Sequence, residues 1–114
     1  MISITLVTAL ALAAGAPNSG ASLQARKAYS VCLQKVIKAK TADKMAADAF
    51  AAEAKTSCVA EEAALVKSLT DYDVAMGSKR ADALEGAKSQ AEDYLASASD
   101  SYATYISPNS GSPK

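Results

Sequence analysis

The chain opens with an apolar stretch that differs from everything that follows it. Residues 2–16 carry no charge, and Ile, Leu, Val and Ala fill most of the positions. Beyond it, apolar residues recur at spacings of three and four with polar residues between them, which is the pattern of amphipathic helices. The pattern therefore predicts a leading apolar segment followed by an all-α domain.

Three helices are predicted, over residues 22–40, 44–76 and 79–105. The apolar stripe of the first consists of Ala25, Tyr29, Cys32, Val36 and Ala39, with Leu33 beside it. The stripe of the second consists of Ala47, Phe50, Ala51, Ala54, Cys58, Glu61, Leu65, Leu69, Tyr72 and Met76. The stripe of the third consists of Leu84, Ala87, Ala91, Leu95, Ala98 and Tyr102, extended by Ile106. Burying these stripes together predicts a small antiparallel three-helix bundle over residues 22–106.

Capping residues predict where the helices are connected. Thr41 or Asp43 would cap the second helix, because either side-chain oxygen can accept a hydrogen bond from a free backbone N–H. Gly77 and Ser78 supply a C-terminal glycine and an N-cap serine before the third helix. A break at residues 70–73 remains an alternative. One long helix through Gly77 is another, since a single glycine inside a helix costs only about 1 kcal/mol. The polar residues 107–114 are predicted to be a disordered tail.

The leading segment is interpreted as a secretory signal peptide of residues 1–21. It ends in Ser19-Gly20-Ala21, whose small residues fit a signal-peptidase site before Ser22. Cleavage after Ala16 is disfavoured because Pro17 would follow the scissile bond. An uncleaved anchor is the alternative, although an apolar run of about 15 residues is shorter than the ~20 that span a bilayer. The predicted localisation is the periplasm or the extracellular space.

Composition strengthens the helical interpretation. Alanine is the best helix former, and no proline lies between Pro17 and Pro108, whereas a proline inside a helix costs about 3 kcal/mol. The predicted domain of residues 22–106 is small, and a domain of such a size is only marginally stable without a cross-link.

Cys32 and Cys58 are the only cysteines, and an even count in an exported protein favours a disulfide over two free thiols. In an antiparallel hairpin, two residues that face each other lie equally far along the chain from the turn. A bond between Cys32 and Cys58 would therefore centre the hairpin on residue 45, close to the predicted turn. The same alignment places Tyr29 near Glu61, where the charged member of the stripe could accept from the tyrosine hydroxyl.

The chain lacks the residue types of common catalytic sites. It has no histidine, which excludes Ser-His-Asp and Cys-His arrangements and means that a zinc site would need carboxylates. Residues 71–82 place acids at three calcium-loop positions, but Met76 stands where such a loop needs glycine, so an interhelical turn is favoured. We expect no catalytic residue, no cofactor and no metal, and a protein that is not an enzyme.

Net charge is zero, but the basic residues collect in the first helix. Residues 22–42 hold five bases and no acid, whereas residues 43–114 hold 12 acids and 7 bases. The five bases are Arg26, Lys27, Lys35, Lys38 and Lys40. They are candidate contacts to an anionic surface. Alternatively, the first helix lies against the protein's own acidic remainder.

Tyrosines concentrate in the third predicted helix. Tyr94, Tyr102 and Tyr105 are candidate interface residues, because tyrosine buries area while keeping a polar tip; packing in the core and at its rim is the alternative. Together these features predict an exported helical protein that acts by binding another envelope or secreted protein, as an accessory subunit or an inhibitor, and not nucleic acid. The alternative is a peripheral protein that binds anionic lipid through the first helix.

Overall fold

The computed structural model describes residues 19–107. Over this range the chain forms four α-helices and no strand: α1 (Ser19–Asp43), α2 (Ala47–Ser57), α3 (Val59–Ala75) and α4 (Arg80–Ile106). The all-α prediction is confirmed. The apolar segment and residues 108–114 of the predicted tail lie outside the described residues. Ser19, Gly20 and Ala21, the small residues of the predicted cleavage site, belong to α1.

The second predicted helix is divided into α2 and α3 by Cys58 alone, whose backbone has φ −110° and ψ 24°. Helical hydrogen bonding continues on both sides, because the Cys58 N–H donates to the Ala54 carbonyl and the Glu62 N–H to the Cys58 carbonyl, each at 2.9 Å. Residues 56–58 are all weaker helix formers than alanine, and Cys58 is also bonded to α1. The described chain therefore has four helices where the periodicity predicts three.

The predicted disulfide is confirmed. Cys32 of α1 and Cys58 are bonded, with their Cα atoms 5.9 Å apart. α1 runs antiparallel to α2 and α3, since Lys40, near the end of α1, pairs with Glu53 of α2, while Tyr29, nearer its start, reaches Glu62 of α3. The predicted hairpin and its centre near residue 45 are therefore correct.

The core follows the predicted stripes with small rotations. Its buried apolar residues are Ala25, Tyr29, Leu33, Val36, Phe50, Ala54, Cys58, Leu65, Leu69, Ala83, Ala87, Ala91, Ala98 and Tyr102. Predicted stripe residues that stay half-buried or exposed are Cys32, Ala39, Ala47, Ala51, Glu61, Tyr72, Met76, Leu84, Leu95 and Ile106. In α1 Leu33 is buried more deeply than Cys32, and in α4 Ala83 is buried in place of Leu84.

The turn after α3 is the predicted glycine turn. Gly77 has φ +106°, its N–H donates to the Val74 carbonyl at 3.0 Å, and the Ser78 N–H donates to the Asp73 carbonyl at 2.9 Å. This pair of bonds is the Schellman motif with glycine at its left-handed position. Ser78 is not the N-cap of α4; Lys79 is, without a side-chain cap.

The turn after α1 has the same hydrogen bonds without a glycine. The Lys44 N–H donates to the Thr41 carbonyl at 3.2 Å, and the Met45 N–H donates to the Lys40 carbonyl at 3.1 Å. Lys44 takes the left-handed position, with φ +55°. α1 therefore extends to Asp43, and neither Thr41 nor Asp43 caps α2.

Candidate functional site

A cluster of polar groups lies where α1 meets the start of α3. The buried Tyr29 hydroxyl donates to Glu62 Oε2 at 3.3 Å, and Glu62 Oε1 lies 3.5 Å from Lys55 Nζ. Burial, reinforced by the negative charge of Glu62 and by this hydrogen bond, raises the pKa of Tyr29 to about 12. The predicted contact of Tyr29 with Glu61 is wrong by one residue.

Glu61 instead faces the disulfide. One of its carboxylate oxygens and the two sulfurs of Cys32 and Cys58 all lie within 4.8 Å of one another. Glu61 and Cys32 are both half-buried, and with Lys27 and Lys35 they line one depression on the surface. The neighbouring acids Glu61 and Glu62 thus point to different partners and do not form a carboxylate pair.

The three candidate interface tyrosines have different surroundings. Tyr102 is fully buried and stacks on Phe50, with ring centroids 4.4 Å apart, so it belongs to the core. Tyr94 is half-buried against Tyr29, at a centroid distance of 6.1 Å. Tyr105 is 57% exposed. Of the three, Tyr105 alone presents most of its side chain on the surface.

The five candidate basic residues also differ in burial and in ion pairing. Lys40 is half-buried and pairs with Asp43 at 3.8 Å and Glu53 at 3.4 Å, so at this position α1 does lie against its own acids. Arg26 is half-buried and lines one depression with Asp73, without an ion pair to it. The remaining three are exposed, and no carboxylate of the described residues lies within 4 Å of their ammonium groups: Lys27, Lys35 and Lys38.

An open groove between α1 and the end of α4 joins two of these lysines to Tyr105. Its lining residues are Val31, Gln34, Lys35, Ile37, Lys38, Thr41, Ser101 and Tyr105. We call this surface the basic groove. It contains no acid, its apolar contacts come from Val31, Ile37 and Tyr105, and its uncharged polar groups come from both helices. It can therefore accept an anionic segment that also carries an apolar side chain.

A second groove, between α3 and α4, is electrostatically different. Its apolar lining includes Val66 and Leu84. Most of its charges are paired with each other, since Asp71 accepts from Lys67 at 2.6 Å and lies 3.6 Å from Arg80, and Lys55 lies 3.5 Å from Glu62. The Lys67 hydrogen bond lowers the pKa of Asp71 more than any other contact does. The four basic and three acidic side chains of this groove nearly balance, whereas the basic groove has no acid at all.

Five groove residues are not among the site residues predicted from the sequence: Val31, Gln34, Ile37, Thr41 and Ser101. Val31 lies four residues from Lys27 and from Lys35, a spacing that places all three on one side of a helix. That spacing was a usable signal for the α1 part of the groove. The α4 part depends on how the two helices pack, which no local pattern specifies.

No protein-family model matches the chain, and comparisons with curated proteins and with solved structures give no significant match. Within residues 19–107, no helix combines the length and the apolar character needed to cross a membrane.

Proposed function

We propose that this chain is a non-catalytic binding protein, exported to an oxidising compartment, that docks an acidic segment of another envelope or secreted protein in the basic groove. Export rests on the signal-peptide pattern of residues 1–21. The Cys32–Cys58 disulfide supports this proposal, because such bonds persist outside the reducing cytoplasm. The observation that carries the proposal is the charge of Lys35 and Lys38, which line the groove with no carboxylate of the described residues within 4 Å of either ammonium group. Lys27, outside the groove on the same face of α1, adds to this charge.

This charge is unfavourable for the isolated fold. Lys35 and Lys38 are three residues apart on a helix, where like charges destabilise by about 0.2–0.5 kcal/mol. Lys40, Lys55 and Lys67 each pair with an acid, whereas Lys44, Lys79 and Lys88 have no ion pair among the described residues and do not line the basic groove. An acidic partner would relieve the repulsion on α1 and would be drawn to the groove by its field.

Tyr105 and Val31 supply the short-range part of the proposed interface. Tyr105 is 57% exposed and Val31 is 39% exposed, on opposite sides of the groove. Tyrosine is enriched in the centres of protein interfaces because it adds apolar area and one hydrogen-bonding group. A partner segment with acids flanking an apolar side chain would match both the charge and the shape.

An anionic membrane surface is the second candidate. Leu23, which is 65% exposed, lies four residues before Lys27 and eight before Val31, so apolar and basic groups alternate along one side of α1. A helix that lies on a membrane inserts a broad apolar face. The broad apolar face of α1, which includes Tyr29 and Leu33, is buried in the core, and this favours a protein partner.

Binding of defined probes tests the proposal. We would measure binding of a fluorescent peptide rich in Asp, Glu and Leu, and of vesicles with and without anionic phosphatidylglycerol. The paired substitution Lys35→Glu with Lys38→Glu should weaken peptide binding at least about tenfold, because exposed charge contacts contribute roughly 0.2–1 kcal/mol each and reversal replaces attraction with repulsion. Added salt should also weaken binding, since the screening length is about 10 Å at 0.1 M.

The matched control changes the same charge elsewhere. Lys79 and Lys88 are exposed and outside the basic groove, so Lys79→Glu with Lys88→Glu should leave peptide affinity nearly unchanged. Equal losses for both pairs would mean that net charge alone drives binding and would contradict the groove. Salt-dependent binding to anionic vesicles without peptide binding would instead favour the membrane-surface function.

A further inference from the structure

Glu61 is a charged residue in a buried stripe, and its surroundings do not explain it as part of the fold. Among the described residues its carboxylate makes no hydrogen bond and no ion pair within 4 Å. The hydrogen bond expected from Tyr29 goes to Glu62 instead. The sulfurs of Cys32 and Cys58 lie beside the Glu61 carboxylate, with all three groups within 4.8 Å of one another.

We propose that, when the disulfide is reduced, Cys32, Cys58 and Glu61 form a binding site for one thiophilic divalent cation of the Zn²⁺ type. Zn²⁺ takes thiolate sulfur at about 2.3 Å and carboxylate oxygen at about 2.0–2.2 Å. Ligand atoms around a tetrahedral ion of this kind lie roughly 3.4–3.8 Å apart. The Glu61 oxygen lies within 4.8 Å of both sulfurs, and the two sulfurs, which are bonded to each other in the disulfide, would separate on reduction to take up this spacing. The inference does not depend on the proposed binding partner, and it concerns the reduced chain, as it exists before export to an oxidising compartment.

Two helices hold the three ligands in place. Cys58 and Glu61 are three residues apart at the start of α3, a spacing that puts both side chains on one face of a helix. Cys32 projects from the facing α1, whose Cα at this position is 5.9 Å from that of Cys58. The ion would thus join the same two elements that the disulfide joins.

The site is open enough to exchange an ion and to keep a water as fourth ligand. Cys32 and Glu61 are half-buried, and both line a surface depression. Lys27 and Lys35 line the same depression. Two thiolates and one carboxylate carry one negative charge more than a divalent cation neutralises, and these lysines compensate the excess.

The chemistry balances with a dithiol as the reductant. The dithiol supplies two electrons and two protons, the S–S bond breaks to give two thiols, and the dithiol becomes a cyclic disulfide. Binding of the cation then displaces one proton from each thiol into solvent. The oxidised chain has no free thiolate and should not bind the ion at this site.

Cobalt titration of the reduced full chain tests the proposal. The chain is reduced with a dithiol, desalted without oxygen and titrated with Co²⁺, while helicity is followed by circular dichroism. We expect thiolate-to-cobalt charge-transfer absorption and tetrahedral d–d bands that saturate at one ion per chain and are lost when Zn²⁺ is added. Cys32→Ser should abolish the charge-transfer band.

Glu61→Gln separates this site from an ordinary pair of nearby thiols. It should weaken Co²⁺ binding at least about tenfold, a loss in the range seen when the groups around a metal are removed, whereas the adjacent Glu62→Gln should not. If the reduced chain loses helicity, restoration by Zn²⁺ in the wild type but not in Glu61→Gln supports the site. Unchanged affinity in Glu61→Gln, two chains per ion, or no tetrahedral spectrum would overturn it.

Discussion

The turns after α1 and after α3 share one hydrogen-bond pattern but satisfy it differently. The turn after α3 places Gly77 at the left-handed position, where an added Cβ would meet no atom within 4 Å. The turn after α1 places Lys44 there, a conformation that costs a residue with a Cβ about 1–2 kcal/mol.

A tertiary contact compensates this cost in the first turn. The single proton of the Tyr102 hydroxyl faces two carbonyl oxygens, that of Met45 at 2.5 Å and that of Lys40 at 3.0 Å, so the hydroxyl bridges the two ends of the turn. Its ring is anchored by stacking on Phe50. The glycine turn is therefore determined by its local sequence, whereas the lysine turn depends on a residue near the other end of the domain.

The largest expected effect comes from removing this tyrosine. Tyr102→Ala should lower the free energy of unfolding by about 3–5 kcal/mol, because it deletes a fully buried aromatic ring. Tyr102→Phe keeps the ring and should cost about 1–2 kcal/mol through the lost hydrogen bonds. Urea denaturation measures both, with the exposed Tyr105→Phe as the control that should change little. A Tyr102→Phe variant as stable as the wild type would contradict the bridging role.

The second-largest effect should come from removing the disulfide, which should loosen the turn after α1 more than the turn after α3. The loop it closes, with a sequence separation of 26 residues, contains the Lys44 turn and excludes the Gly77 turn. Replacing Cys32 and Cys58 together by Ala should cost roughly 3 kcal/mol. Under conditions where the domain stays folded, amide hydrogen exchange should rise more at Lys44 and Met45 than at Gly77 and Ser78. An equal rise at both turns would show that the bond does not act on the first turn in particular.

High pH should weaken the contact between Tyr29 of α1 and Glu62 of α3, which belongs to neither turn. The pKa of Tyr29 is raised to about 12 in the folded protein, above its ordinary value of 10. The stabilisation this represents is complete below about pH 10 and is lost as the pH rises toward about 12, with an upper limit of roughly 2–3 kcal/mol. Denaturation across this range should show a steeper loss for the wild type than for Tyr29→Phe. Identical slopes would contradict the assigned environment.

Substitution of the glycine tests the locally encoded turn. Gly77→Ala should lower the free energy of unfolding by about 1–2 kcal/mol, because φ +106° is unfavourable for alanine even though space is available. The control Gly86→Ala lies inside α4, where the added methyl also meets nothing within 4 Å and alanine is the better helix former. Gly86→Ala should therefore raise the free energy of unfolding. Changes of opposite sign at Gly77 and Gly86 would show that the loss at Gly77 comes from its backbone conformation and not from the added methyl group.

The smallest expected effect is a gain at the lysine turn. Lys44→Gly should raise the free energy of unfolding by about 0.5–1 kcal/mol, because relief of the left-handed strain exceeds the added flexibility of the unfolded chain. The same substitution in the Tyr102→Phe background should recover part of the loss caused by that change. Destabilisation by Lys44→Gly in both backgrounds would argue against strain at this position.

These turns also show what the sequence can predict. The glycine turn, the antiparallel hairpin and the Cys32–Cys58 bond follow from local residue types and periodicity. The end of α1 was misplaced because it depends on Tyr102, which is 57 residues from Met45 along the chain. The break at Cys58 left no trace in the periodicity, since helical hydrogen bonds continue on both sides of it.

The candidate site was predictable to a similar degree. Charge distribution identified the basic character of α1, but not that Lys40 pairs with Glu53 while Lys35 and Lys38 have no such partner. Tyrosine spacing did not distinguish the buried Tyr102 from the exposed Tyr105. Both distinctions depend on which face of each helix meets its neighbours.

Photo-cross-linking in intact cells tests the proposed docking surface most directly. A photoreactive amino acid is placed at Val31 or Tyr105 in the basic groove, or at Val59, which is 62% exposed and outside the groove. We expect one discrete adduct from the groove positions and none from Val59. The adduct should disappear with Lys35→Glu and Lys38→Glu and persist with Lys79→Glu and Lys88→Glu. Adducts of equal intensity from all three positions, or adducts insensitive to the groove lysines, would contradict the proposal.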